Sequence, residues 1–274
     1  MNRNILSGKE WFYDNDFWEQ YAPIMFDNKR MTEISRVADG ITHLACPDLY
    51  RQEAASASRS GVPPPDSSPP RVLDLCCGFG RITLELARRG FSPVGVDITG
   101  AYLETARDDA VYENLDIEFV RSDVRAFKRP AAFDLAVNLY ISFGYFDNPE
   151  DDRLVAQNAC DSLKDGGAFI IETLGKEIAV RDFVEAEWFE RAGFMVLTQY
   201  APRDSWSFLE NRWILIDEKD GRRIEKTFTQ RLYAASELRR LLFDAGFSKV
   251  ELYGDWDESP YDHRAEALIA VGRK

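Results

Sequence analysis

The chain has 274 residues, 45% of them hydrophobic, and sets 34 Lys and Arg against 47 Asp and Glu for a formal net charge of −13. A length of this order holds one large domain or a domain with an insertion, and no apolar run approaches the roughly 20 residues of a membrane span. The acidic balance repels phosphate backbones, with no long basic run to offset it, so nucleic acid is excluded as the expected partner and a small molecule takes its place.

The first residues, MNRNILSGKEWFYDND, lack the apolar stretch of a secretory signal, and a cytoplasmic location is expected. Cys46, Cys76, Cys77 and Cys160 show no C-x-x-C spacing, so neither a metal site nor a dithiol centre is indicated. In residues 1–45, Tyr13, Phe17, Tyr21 and Phe26 follow near-helical spacing. One or two helices are expected there, packed through that stripe and forming an N-terminal lid. Residues 46–70 end in ASASRSGVPPPDSSPP, which reads as a Pro/Ser-rich loop, since prolines at that density break both helix and central strand.

From Arg71 onward, apolar runs alternate with helical patterns. RVLDLC, SPVGVD, DIEFVRSD, FDLAVNLY and GGAFIIET read as strands, separated by the helices GRITLELARRG, AYLETARDDAVYE and PEDDRLVAQNACDSL. Strands and helices alternating at this period imply a doubly wound α/β fold with a mostly parallel sheet. Between about 194 and 233 the pattern changes to some three strand-like runs with KDG as a hairpin turn, an antiparallel β insertion. Its strands offer one route to a homodimer. The alternation resumes at ASELRRLLFDAGF, with Ser236 as the expected helix cap, and the main domain spans 71–274.

In open α/β sheets, ligands bind beyond the carboxyl ends of the strands. The turn CCGFGR lies at such an end, but it does not match a dinucleotide fingerprint. Counting from Gly78 puts Thr83 at the third glycine position, and counting from Cys76 puts Arg81 there. No G-K-[ST] follows for a phosphate loop. Asp97 ends the second strand, where a carboxylate can accept from both hydroxyls of an adenosine ribose. Asp123 follows the third strand, placed to accept from an adenine amino group while the Val124 amide donates to the ring. Asn138 and Leu139 end the fourth strand beside the same crevice.

The run VLDLCCGFGRITLELARRGFSPVGVDIT, together with VRSDV, FDLAVNLYISFGYF and LKDGGAFIIET, resembles the class I S-adenosylmethionine-dependent methyltransferases over residues 71–175, and loosely over 235–274. Cys76 departs from the glycine usual there. The resemblance implies a Rossmann-like, seven-stranded sheet with an antiparallel last strand, and S-adenosyl-L-methionine as cofactor. It implies that Cys76, Gly78 and Gly80 face the methionine and ribose, Asp97 the ribose diol, Asp123 and Val124 the adenine, and Asn138 and Leu139 the sulfonium. Tyr21 and Arg30 are the candidate donors to the cofactor carboxylate.

Methyl transfer needs alignment more than dedicated catalysts. Tyr140 and Tyr145 are the candidate catalytic residues, with Glu172 also available, whereas His43 and His263 are the only histidines. Arg212 and Arg231 would select an acidic substrate if either points inward. The expected function is methylation of N, O or C on a small molecule. One alternative is a non-methylating reaction on the cofactor's amino-acid portion that releases methylthioadenosine. Another is a non-catalytic cofactor-binding module.

Overall fold

Apolar runs of five or six residues with β-branched side chains become strands buried on both faces. The computed structural model describes residues 10–26, 28–45 and 68–274, with the side chains of 28–31 outside that description. The run 46–67, which holds most of the expected Pro/Ser-rich loop, also lies outside the described residues. The chain divides into two compact units, one of Thr32–Phe183 with Arg231–Lys274, the other of Met1–Met31 with Val184–Gln230.

The larger unit holds a seven-stranded sheet. In chain order its strands are β1 (Arg71–Leu75), β2 (Ser92–Asp97), β3 (Glu118–Arg121), β4 (Phe133–Asn138), β5 (Leu163–Thr173), β10 (Lys249–Tyr253) and β11 (Leu268–Arg273). Their order across the sheet is β10-β11-β5-β4-β1-β2-β3. The β1–β2, β2–β3, β1–β4 and β4–β5 pairs are parallel, and β11 runs antiparallel to both β5 and β10, as the resemblance implied. The topology therefore brings the carboxyl ends of β4, β1, β2 and β3 side by side.

The helices of this unit obey local chemistry. α3 (Arg81–Arg88) follows β1 and stops ahead of Gly90, whose φ of 85° no side-chain-bearing residue adopts easily. α4 (Gly100–Tyr112) follows β2. α5 (Pro149–Ser162) starts with Pro149, three acidic residues and an Asn148 cap that accepts from the Glu150 amide at 3.2 Å. The short α6 (Lys176–Arg181) follows β5. α7 (Ala235–Asp244) is not capped by Ser236 as expected. Ser236 lies inside the first turn, and the Glu237 carboxylate reaches back to the Ala234 amide at 2.8 Å.

α2 (Asn28–Ala45) corrects the reading of residues 1–45 as a lid. From Thr32 on it is a layer of the main core, where Ile34, Val37, Ala38, Ile41 and Leu44 are buried with Val72, Leu135, Val137, Ile170 and Ile269. The aromatic stripe ahead of it drew attention, whereas this helix buries aliphatics at helical spacing.

The smaller unit is an antiparallel meander of β6 (Ala186–Arg191), β7 (Phe194–Arg203), β8 (Phe208–Asp217) and β9 (Arg223–Arg231), in that order. It begins eight residues earlier than expected, because β6 is an edge strand whose charged and exposed residues hide its period. The KDG turn joins β8 to β9, with Gly221 left-handed. On this sheet sits α1 (Asn15–Met25), capped by Asp14, whose carboxylate accepts from the Phe17 amide and from Lys226 at 2.6 Å. Phe17, Tyr21 and Ile24 are buried with Val196 and Leu215.

Tyr21, a candidate donor to the cofactor carboxylate, has another task. It is fully buried, stacks on Phe17, and donates its hydroxyl to the Trp213 carbonyl at 2.9 Å. That commitment removes it from the binding set. Replacing Tyr21 by Phe leaves that carbonyl without its donor and is expected to cost about 1 kcal/mol of unfolding free energy in urea. Phe17→Ala is expected to cost about 3–5 kcal/mol in the same measurement.

Candidate cofactor and active site

β1 ends at Leu75 and the chain then turns through left-handed Cys76, Gly78 and Gly80, with φ values of 60°, 56° and 70°. A Cβ on Gly80 would meet the Phe119 ring at 3.0 Å, so this glycine answers to packing as well as to conformation. Beneath the turn lies Asp74, 3% exposed, whose carboxylate accepts from the Thr83 hydroxyl at 2.5 Å. Thr83 holds the place a third glycine would take in a dinucleotide fingerprint, and a hydroxyl–carboxylate bond joins helix to strand there. Burial pushes the Asp74 carboxyl up to about 7, with the Thr83 bond opposing and the Asp97 charge adding to the rise.

Asp97, at the end of β2, accepts from the Gly78 amide at 2.8 Å and from the Thr99 amide at 2.8 Å. One carboxylate thus ties the turn after β1 to the turn after β2. It is buried, which raises its pKa, and those amide bonds pull the other way. Burial and the neighbouring carboxylates also raise the Cys76 and Cys77 thiols, which are free and held in their unreactive protonated form.

Asn138 ends β4 with its side chain 1% exposed, and its amide nitrogen donates to the Leu75 carbonyl at 3.1 Å. Its Oδ1 is buried without a hydrogen-bond partner of normal geometry, the Cys76 thiol being the polar group beside it. A buried acceptor of this kind at a strand end suits a ligand's ammonium group. Leu139 sends its side chain into the core shared with α2, so only its backbone is available at the crevice.

The backbone stays left-handed at Tyr140 and Ile141, with φ values of 55° and 64°. Both amides are held by Glu172 at the end of β5, Tyr140 by the carboxylate at 2.5 Å and Ile141 by the carbonyl at 3.3 Å. Bulky residues in this conformation mark a segment that its surroundings hold under strain. The Arg81 guanidinium covers the Tyr140 ring at 5.1 Å. Of the aromatics that follow, Phe143 and Phe146 are buried and Tyr145 is half-buried.

Gly144 has φ 99° and passes so close to Arg231 that an added Cβ would lie 2.7 Å from its carbonyl oxygen. The Arg231 amide donates to the Gly144 carbonyl at 2.7 Å. Behind this contact Asp152 is fully buried, accepting from the Tyr233 hydroxyl at 2.7 Å, with Arg231 Nε 3.6 Å away. Burial lifts the Asp152 carboxyl to about 7, partly offset by Tyr233 and Arg231.

Asp123 lies just past β3, where its carboxylate pairs with Arg125 at 2.7 Å. Val124 is half-buried beside it. The sheet unit therefore brings Cys76, Gly78, Gly80, Asp97, Asp123, Val124 and Asn138 to one edge. It does not bring Arg212, Arg231 or either histidine there. The Arg30 side chain lies outside the described residues. Arg212 pairs with Glu225 and Gln199 on the meander, a strand charge in solvent, and Arg231 points inward but onto Asp152 and the Asp147 carbonyl. His263 is exposed, and His43 pairs with Glu258. Arg125, Asp152 and Thr99 escaped the sequence reading, although Arg125 stands two residues past a singled-out acid.

Asp74 and Asp152 keep their protons up to about pH 7 in the folded chain, whereas an unfolded Asp loses its proton near 4. The folded state thus binds more protons between those values, and stability falls as pH rises. The melting temperature of the ligand-free protein, read by scanning fluorimetry, is expected to drop between pH 5 and 7.5. Asp152→Asn is expected to flatten part of that drop.

A sequence profile described as a methyltransferase domain matches residues 72–167. Over 209 residues the chain is 22% identical to a protein of Geobacillus sp. strain WCH70 that carries a provisional methyltransferase name, covering 74% of this chain and 84% of that one. The CcbJ methyltransferase of Streptomyces caelestis superposes with a TM-score of 0.76 at 16% identity, over 97% of this chain and 99% of that one. The S-adenosylmethionine-bound CalS10 of Micromonospora echinaspora, an amino pentose methyltransferase, gives 0.64 at 19% identity, over 93% and 96%. At these identities the structures show a shared fold. The strand order, the glycine turn and the matched domain agree, and together they support a class I S-adenosylmethionine-dependent methyltransferase.

Proposed function

We propose that the protein methylates a small molecule bearing an amine or hydroxyl, with S-adenosyl-L-methionine held along the carboxyl ends of β4, β1, β2 and β3. The observation that carries this reading is the convergence of the Cys76–Gly80 turn, Asp97, Asp123 and Asn138 on that edge. In this reading Asp97 takes the ribose diol, and Asp123 with the Val124 amide takes the adenine. The buried Asn138 Oδ1 accepts from the methionine ammonium. The bound cofactor supplies a methyl group already activated by a positive sulfur.

The protein's own part is to hold the acceptor in line, exclude water and take one proton. Tyr140 and Tyr145 lie just past Asn138 and are read as the acceptor wall. Tyr140 is held rigidly through its amide by Glu172, and that carboxylate is the proton acceptor at the same strand end. An amine needs little more than loss of its hydration, so it suits a site of this kind. The acidic net charge of −13 supports a small substrate over nucleic acid, and the free thiols of Cys76, Cys77 and Cys160 support a cytoplasmic setting.

Calorimetry with S-adenosylhomocysteine is expected to show binding, weakened roughly 10- to 100-fold in Asp97→Ala. Incubation with methyl-labelled cofactor and a panel of amino sugars, amines and phenols is expected to move the label onto an acceptor. Turnover that needs no acceptor and yields methylthioadenosine would replace methyl transfer with chemistry on the cofactor itself.

A further inference from the structure

The two adjacent cysteines after β1 have different surroundings. Cys77 belongs to a packed layer with Leu84, Leu103 and Phe119, and its Sγ comes so close to Gly95 that a Cβ there would lie 2.9 Å from it. Packing accounts for that side chain. Cys76 turns instead toward the end of β4, where its thiol stands beside the Asn138 side chain. It does so in the left-handed region, at φ 60°, which costs a side-chain-bearing residue energy and which glycine fills at 78 and 80 in the same turn. A strained residue kept at a strand end calls for a task that offsets the strain.

Asn138 supplies that task. Its side chain is 1% exposed, and its Nδ2 donates at 3.1 Å to the carbonyl of Leu75, the residue just before Cys76. That bond holds the nitrogen end of the amide. A terminal amide turns about a broad torsion, so one bond does not fix the direction of its oxygen. The thiol flanks the same amide and narrows its swing, and as a weak donor it leaves the oxygen to a stronger one. Oδ1 is buried without a hydrogen-bond partner, and the charged groups that act on Cys76, namely Asp97, Asp74 and Asp123, are all acidic. A buried acceptor among acids suits a cationic donor.

We propose that Cys76 is the positioning residue for the amino-acid end of the cofactor, its thiol bracing the Asn138 amide so that Oδ1 meets the ammonium group. The proposal rests on the cofactor reading above, in which Asn138 accepts from the methionine ammonium.

The test compares binding of S-adenosylhomocysteine with that of methylthioadenosine, which has the same nucleoside and thioether but no amino-acid portion, by calorimetry. Wild-type protein is expected to prefer S-adenosylhomocysteine by roughly 10- to 100-fold. Cys76→Ala, which keeps Cβ and removes the sulfur, is expected to lower that preference by about fivefold. Cys76→Gly, which suits the left-handed turn and carries the test should the alanine variant fail to fold, is expected to lower it as far. A general loss of structure would weaken both compounds alike and leave their ratio unchanged. Asn138→Ala removes the acceptor itself, and in that background Cys76→Ala is expected to change the ratio no further. An undiminished ratio in either Cys76 variant, or a second full loss in the Asn138→Ala background, overturns the role of Cys76 while the cofactor reading stands. Wild-type protein that binds the two compounds equally overturns the Asn138 contact and the proposal with it, and wild-type protein that binds neither overturns the cofactor reading as well.

Discussion

A carboxylate with almost no access to water must find its hydrogen bonds within the protein, and Asp97 finds them in two turns at once. The Gly78 and Thr99 amides both point at it, so the backbone after β1 and the backbone after β2 share one anchor. The glycine turn consequently has a fixed shape, held from the side by Asp97 and from below by the Asp74–Thr83 bond. Burial is the main reason the Asp74 carboxyl stays protonated so far up the pH scale, and the Asp97 charge adds to the rise. A group that carries positive charge is welcome beside such a pair. Placing these anchors on strand ends gives the precision that a mobile loop would lack.

Much of this was legible in the chain because of how parallel sheets are buried. Strands covered on both faces read as unbroken apolar runs, and the residue that ends each run is the residue at the ligand edge. Asp97, Asp123 and Asn138 were located by that logic. The residues that secure them were not, since Arg125 and Asp152 act across segments far apart in sequence. Their carboxylate or guanidinium alone carries no mark that separates them from the many charges in solvent.

Tyr21 and β6 show two further ways in which local reading misleads. A tyrosine among aromatics looks available when its hydroxyl partner, the Trp213 carbonyl, lies 192 positions away. An edge strand such as β6 has only one hydrogen-bonded neighbour and tolerates Glu187, Glu190 and Arg191 along its length, so no alternation betrays it. The glycine count also misled in an instructive way. Thr83 breaks the dinucleotide pattern, yet its hydroxyl performs the joining of helix and strand that a third glycine serves elsewhere.

The gap in the seven-stranded unit, where the chain departs after Phe183 and comes back at Arg231, is closed on the sheet's own side. The Lys176 amide donates to the Tyr233 carbonyl at 2.9 Å, and Gly175 bridges to the same residue, so departure and return are stitched together at the mouth of β5. Whatever is spliced between them leaves the strand register beyond untouched. Such a seam lets natural variation exchange the inserted segment wholesale while the carboxyl edge of the sheet passes unchanged from one descendant to the next.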